Sequence, residues 1–317
     1  MKEYLKLIRI HNLLLIAVIQ TFVFFTAILP IIGQYGFVLN LPYWIFASLV
    51  VATILIAAGG FVINEYFDIK IDRLNHPESV IVSNIISKKD TMHIYQILTI
   101  SGVIIGVVAS IVLKSFTLAF IFIIVAGLLW FYSSSYKRML IVGNIVIALM
   151  SALVPFVPAF AAKEQLVLSY TDIILQLPIV PSIYTFCGVM ALFAFFAVMS
   201  IEILKDIRDE YGDREMECHT IPVVWGATTS RIITTLFILL TCCIAVLSTI
   251  KISLPSTLSL RYTLFAIVLP SIFLLYFVWS KSCKSIDNAI HVNRLIILLA
   301  GLYPLVYYYI LNTPKIN

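Results

Sequence analysis

Nine apolar runs, each close to twenty residues long, leave this chain few ways to fold. They lie at about 13–32, 43–63, 96–113, 116–133, 140–161, 184–204, 231–250, 262–280 and 295–311. About twenty apolar residues in an α-helix cross ~30 Å of hydrocarbon. Lipid offers the backbone no hydrogen-bond partner, so each run has to close its own bonds as a helix, and the short connections leave no room for a barrel pattern. The composition agrees, at 62% hydrophobic and 12% charged with a mean hydropathy of +1.06. Little remains for a soluble domain. The expected fold class is therefore all-α: a polytopic membrane protein with nine transmembrane helices in a bundle and two acidic cytoplasmic loops. It is read as one transmembrane domain over residues 1–317.

The basic residues give an orientation. With the N-terminus inside, one side receives Lys2, Lys6, Arg9, Lys70, Arg73, Lys88, Lys89, Lys137, Arg138, Lys205, Arg208, Arg214, Arg231, Lys281, Lys284 and Arg294, which is 16 of the 21. Lys114, Lys163, Lys251, Arg261 and Lys315 fall on the other. This asymmetry is the positive-inside pattern of an odd number of spans, with the N-terminus in the cytoplasm, and in the cell membrane if the source is prokaryotic. The same asymmetry accounts for the formal charge of +5 without a nucleic-acid partner. The N-terminal basic start and apolar run lack a small-residue cleavage site, so they read as the first span and not as a removed leader. Cys187, Cys218, Cys242, Cys243 and Cys283 show no metal or redox spacing and read as small packing residues.

Against this apolar background the carboxylates are concentrated. Of 16 Asp and Glu residues, five lie between Glu65 and Asp90 and seven between Glu202 and Glu217. Both clusters follow the end of a span, in the polar stretches 64–95 and 205–230, and both face the expected cytoplasmic side. Carboxylates at a bilayer boundary are costly unless they have cations to bind, so they mark a functional site by default. Asn64, Asp68 and Asp72 recur every four residues, which stacks them on one face of a helix leaving the membrane. Asp209 and Asp213 repeat that spacing, with Asp206 one turn earlier and Gly212 allowing close backbone approach. Oxygen-only arrays of this kind suit Mg2+, which takes one or two carboxylates together with waters and ligand phosphates. Solvated loops neutralised by Lys70, Arg73, Arg208 and Arg214 are the alternative. That alternative leaves two matching registers on one side unexplained.

These residues carry a resemblance. Asn64, Asp68 and Asp72, followed by Arg73-Leu74-Asn75-His76-Pro77, resemble the first aspartate-rich motif of the UbiA superfamily of intramembrane prenyltransferases. Asp209 and Asp213 resemble the second. The stretch from Glu202 to Arg214, ending in Thr220-Ile221-Pro222, is similar to the digeranylgeranylglyceryl phosphate synthase branch of that superfamily. Leu7-Ile8-Arg9-Ile10-His11-Asn12 resembles the family's entry motif, with Ile10 where proline is usual. After Pro77 the chain departs from the family wording, as it does at Glu217 and Cys218.

The resemblance implies nine helices and a Mg2+-dependent enzyme that transfers a prenyl group from an isoprenyl diphosphate. The acceptor would be a membrane-associated lipid such as geranylgeranylglyceryl phosphate, with a geranylgeranyl donor. The implied metal set is Asn64, Asp68, Asp72, Asp209 and Asp213, the four aspartates being catalytic. The implied substrate-binding set is Asn64, Lys137, Arg138, Lys205, Asp206, Arg9, Asn12 and Arg73. Phe61, Phe67, Trp130, Phe131, Phe195 and Phe196 lie near the depth at which an allylic cation needs shielding, though each also reads as ordinary packing. His76 and His219 read as loop surface. The alternatives are an aromatic-acid prenyltransferase of quinone biosynthesis, a cation-coupled transporter, and a scaffold with acidic docking loops. A transporter would place its ionisable groups near the midplane, in broken helices.

Overall fold

The structure, a computed structural model, describes residues 2–251, 256–280 and 284–313. Cys283, Lys281 and Lys315 lie outside them. Among the described residues there is no β-strand, and the chain runs as long helices. A short helix, Lys2–Leu7, leads into α1, Ile10–Gln34. There follow α2 Tyr43–Asn75, α3 Lys88–Val112, α4 Phe116–Ser134, α5 Val142–Leu153, α6 Phe156–Tyr170, α7 Ile179–Glu215, α8 Ile221–Lys251, α9 Thr257–Trp279 and α10 Ser285–Asn312.

Eight of these helices are long and apolar enough to cross a membrane singly. The pair α5 and α6, bent by 42° at Val154-Pro155, has the length and composition for a ninth crossing among the described residues. Proline removes an amide donor and crowds the preceding turn, so the helix breaks there. Each apolar run of the sequence thus finds its helix. Proline also marks two wider turns. The π-helical segments Val23–Ile28 and Leu264–Val268 run directly into Leu29-Pro30 and Leu269-Pro270. Large apolar side chains stay exposed along the helices, as on α3, where Ile97, Ile100, Ile104 and Ile111 stand on one outward stripe. In water such a stripe would be a liability; it is what a lipid-facing helix requires.

The chain divides into two compact units. One comprises 1–17, 42–150 and 206–230, and the other 18–41, 151–205 and 231–317. In the first, Leu7, Val62, Ile69, Ile81, Val82 and Ile86 form a buried cluster beneath the segment that follows α2. In the second, one core gathers around Ile28, Leu166 and Ile183, and another around Leu204, Leu274 and Ile290. A buried polar lock joins α10 to α7 within that unit: Asn293 Nδ2 donates to Ser200 Oγ at 2.6 Å and to the Ala197 carbonyl at 3.3 Å.

The two acidic stretches differ from open loops. Helix α2 continues through the first motif to Asn75, and α7 continues through the second to Glu215. Only 76–87 and 216–220 are left as connections. Helix persists because the extensions still have an inner face: Asp68, Ile69 and Ile71 are buried on α2, and Gly212 and Asp213 on α7.

Candidate active site

The first array occupies the last turns of α2. Asn64 and Asp68 are buried, Asp72 half-buried. Asn64 Nδ2 donates to Asp68 Oδ2 at 2.7 Å, and Lys137 Nζ forms an ion pair with the same oxygen. Asn64 Oδ1, on the other side of that amide, is buried and accepts no hydrogen bond. A buried acceptor left open in this way is uncommon, because an unmade hydrogen bond costs the full desolvation of the group.

Lys137 comes from the turn between α4 and α5. That turn is tight. Gly143, at the start of α5, sits so close that a Cβ there would lie 2.8 Å from both the Lys137 Cα and the Tyr136 carbonyl. Ile141 has φ of 57°, a left-handed conformation rare for a β-branched residue. Burial alone would push the Lys137 ammonium below the ordinary lysine range. Asp68, with Tyr132 and Asp72 further out, outweighs that and holds it above.

The second array lies on α7, in the same unit. Asp209 accepts from Arg208 Nε at 2.8 Å and Nη2 at 2.9 Å, and His76 Nε2 lies 2.9 Å from its Oδ1. Asp213 is buried and accepts from Thr220 Oγ1 at 3.1 Å. Asp206 accepts from Asn144 Nδ2 at 2.9 Å. The arrays feel each other: Asp72 is acted on by Asp68, Glu65 and Asp209, and Asp213 by Lys137, Asp209 and Asp68. Two acidic helix ends and a half-buried lysine therefore share one electrostatic neighbourhood.

The other sequence-nominated residues have settings of their own. Arg9 pairs with Glu65 at 2.8 Å and stacks over Phe61, its Cζ 5.3 Å from the ring centroid. Asn12 is half-buried in the first turn of α1, and Arg73 is exposed near the end of α2. Arg138 is exposed, and its carbonyl accepts from the His219 amide at 2.9 Å. Lys205 donates to Glu202 at 2.6 Å, one turn earlier on α7. Among the aromatics, Phe67 meets Trp130 edge to face at 5.5 Å, and Trp130 meets Tyr95 at 5.4 Å. His76 is not the surface residue the sequence suggested. Glu65, Asn75, Asn144 and Thr220 were missed as partners. Asn75 and His76 do continue the first motif directly, and that continuation is the one signal that pointed to them.

Among the described residues no three His, Cys, Asp or Glu side chains converge as a ready-made metal cage. Mg2+ does not need one, since it is normally held by one or two carboxylates with waters and phosphate oxygens. The donor set here is all hard oxygen, and the open Asn64 Oδ1 points to a missing electropositive partner. The residues fit the ion.

A profile described as the UbiA prenyltransferase family matches residues 22–299, across both units. The chain belongs to the UbiA prenyltransferase family. It is an integral, multi-pass membrane prenyltransferase. It is 32% identical over 241 residues to the digeranylgeranylglyceryl phosphate synthase of Saccharolobus solfataricus, covering 76% of this chain and 75% of that protein. Two solved structures share the fold. A UbiA homologue from Aeropyrum pernix is 14% identical with a TM-score of 0.68, covering 92% of this chain and 96% of that one. A UbiA homologue from Archaeoglobus fulgidus bound to DMAPP and Mg2+ is 15% identical with a TM-score of 0.56, covering 97% and 99%.

Proposed function

We propose that this enzyme transfers a geranylgeranyl group from its diphosphate to the free hydroxyl of geranylgeranylglyceryl phosphate. The bond from the allylic carbon to the diphosphate oxygen breaks, and an ether bond to the acceptor oxygen forms. The acceptor hydroxyl loses its proton, and diphosphate is released. The observation that carries the reading is the meeting of two oxygen arrays, from the ends of α2 and α7, around Lys137. The choice of a glycerophosphate acceptor draws its support from the wording of the second motif and from the similarity to a synthase of that kind.

Asp68, Asp72, Asp209 and Asp213, with Asn64, would hold Mg2+, and that ion supplies charge neutralisation for the departing diphosphate. Asn64 orients Asp68 through its amide and offers its open carbonyl oxygen. Lys137 pairs with Asp68 and adds a fixed positive charge where the diphosphate collects. Asn144 holds Asp206, and Thr220 holds Asp213, so that neither carboxylate swings freely. Arg9, kept in place by Glu65 and Phe61, stands with Asn12 at the entrance. Arg73 and Arg138, both exposed, give the phosphate-bearing substrates a cationic rim, with Lys205 and Asp206 flanking it on α7. The N-terminus and this site face the cytoplasm, on the charge asymmetry of the connections.

The test is prenyl transfer by purified protein in lipid with Mg2+ and geranylgeranyl diphosphate. Geranylgeranylglyceryl phosphate and hydroxybenzoate compete as acceptors. Mg2+-dependent ether lipid, lost in Asp68→Ala and in Asp209→Ala, is the expected result. Product only with the aromatic acid would move the enzyme to quinone chemistry. No binding of the diphosphate in any condition would bring back cation-coupled transport.

A further inference from the structure

Two acidic helix ends repel each other when no cation lies between them. Asp72 faces the negative charge of Asp68 and Glu65 on its own helix and of Asp209 on α7, offset in part by Lys137. The ends of α2 and α7 are nonetheless held in a defined register, by His76 against Asp209 at 2.9 Å and by a second side chain that carries no charge. Asn75 Nδ2 donates to the Asp209 carbonyl at 3.1 Å, and Asn75 Oδ1 accepts from the Gly212 amide at 2.9 Å. Both bonds fall on the single turn of α7 that separates Asp209 from Asp213. Asn75 itself stands one turn past Asp72, on the neighbouring face of α2. One planar amide therefore grips one array at its centre while extending from the end of the other.

Gly212 makes this approach possible. A Cβ on it would lie 2.5 Å from Asn75 Nδ2 and 2.6 Å from Oδ1, closer than packed atoms come. Neutrality matters as much as reach. A lysine or arginine bridge would neutralise the arrays and compete with the cations they are built to attract. An aspartate would keep the acceptor but lose the donor and add to the repulsion. An amide satisfies one backbone donor and one backbone acceptor without altering the local charge.

We propose that Asn75 is a register clasp: a positioning residue, outside the metal-binding set, that fixes the spacing of the Asp68–Asp72 and Asp209–Asp213 arrays before any cation arrives. Its functional consequence rests on the prenyl-transfer reading. The arrays are preorganised, so cation and diphosphate binding does not first have to bring two repelling helix ends together.

The experiment compares the wild type, Asn75→Ala, Gly212→Ala and the double variant in lipid nanodiscs. Hydrogen exchange is followed without ligand, and affinity for geranylgeranyl diphosphate is measured with Mg2+. Asn75→Ala should speed exchange in 206–216 several-fold and leave 116–134 unchanged, which also shows that the variant is folded. Each single substitution should weaken diphosphate binding by about tenfold. The double variant should be no weaker than either, because Gly212→Ala has nothing to strike once the Asn75 side chain is gone. Unchanged exchange in 206–216 overturns the clasp. Faster exchange with wild-type affinity, or fully additive losses, overturns its role in the site. If the wild type binds no diphosphate with Mg2+, the prenyl-transfer reading falls, and the exchange data still decide whether Asn75 holds the two helix ends.

Discussion

Lys137 and Asp68, 69 positions apart in the sequence, form an ion pair on the carboxylate oxygen that also takes the Asn64 amide. Asp68 is only 5% exposed, and the pair sets a cation against its buried carboxylate. The pair joins the turn after α4 to the first acidic helix end. It places a lysine where a phosphate-bearing substrate would need one.

Replacing Lys137 with methionine keeps the stem and removes the charge. Transfer should fall by about 100-fold or more, the usual loss when one fixed charge-stabilising group is removed. Asp68 would be left without its cation, so the thermal midpoint in detergent should fall as well. A single-turnover assay beside a thermal melt checks both.

Chelation gives a separate prediction. Excess EDTA should abolish transfer, and added Mg2+ should restore it. Asp209→Asn should raise the Mg2+ concentration needed for half-maximal rate by about tenfold or more, since a neutral amide is a poorer ligand for a hard divalent ion. A titration of initial rate against free Mg2+ reads the shift. An unchanged midpoint would remove Asp209 from the metal-binding set.

Asn64 differs from the aspartates around it in having an oxygen that nothing occupies. Asn64→Leu removes both the donor to Asp68 and that open acceptor. Diphosphate affinity should drop, and the melting point should fall modestly because the buried Asp68 carboxylate loses its amide donor. Equal affinity in the variant would deny the oxygen a role.

A purely structural prediction comes from the second unit. Asn293→Ala on α10 removes two buried bonds to α7, and bonds between membrane helices contribute about 0.6–2 kcal/mol each. The thermal midpoint should fall while the Mg2+ requirement stays as it was.

The turn that carries Lys137 makes the last one. Gly143→Ala would drive a Cβ against backbone atoms 2.8 Å away, which cannot move without displacing Lys137 itself. Activity should fall along with stability, and more steeply than in Gly127→Ala, where a Cβ meets open space. Comparing rate and melting point for the two variants separates displacement of Lys137 from a general helix effect.

The sequence was most readable where one local rule dominated. Each span was visible because twenty apolar residues have one use. Asp68, Asp72, Asp209 and Asp213 stood out because the chain spends so few carboxylates elsewhere. Their neutral partners did not. Asn144 finds Asp206 across 62 positions, and Asn75 finds Gly212 across 137. An asparagine or a threonine carries no periodic mark of what it will bind, so those partners depend on tertiary structure. His76 shows the same limit: it read as loop surface, but the register of α2 against α7 carries it to Asp209. Polarity ends the apolar runs and so suggests loops, although the helices themselves do not stop.

That overrun determines where the reactants can be handled. A 33-residue α2 is about 50 Å long at 1.5 Å per residue, whereas about twenty residues suffice for the hydrocarbon. The surplus raises Asp68 and Asp72 as a short pier on a post rooted among the acyl chains. A lipid whose charged end already lies at the membrane face can moor there with its tail still dissolved in the leaflet. Each methylene kept out of water spares about 0.8 kcal/mol, so a prenyl chain can be handed on without being drawn out of its solvent.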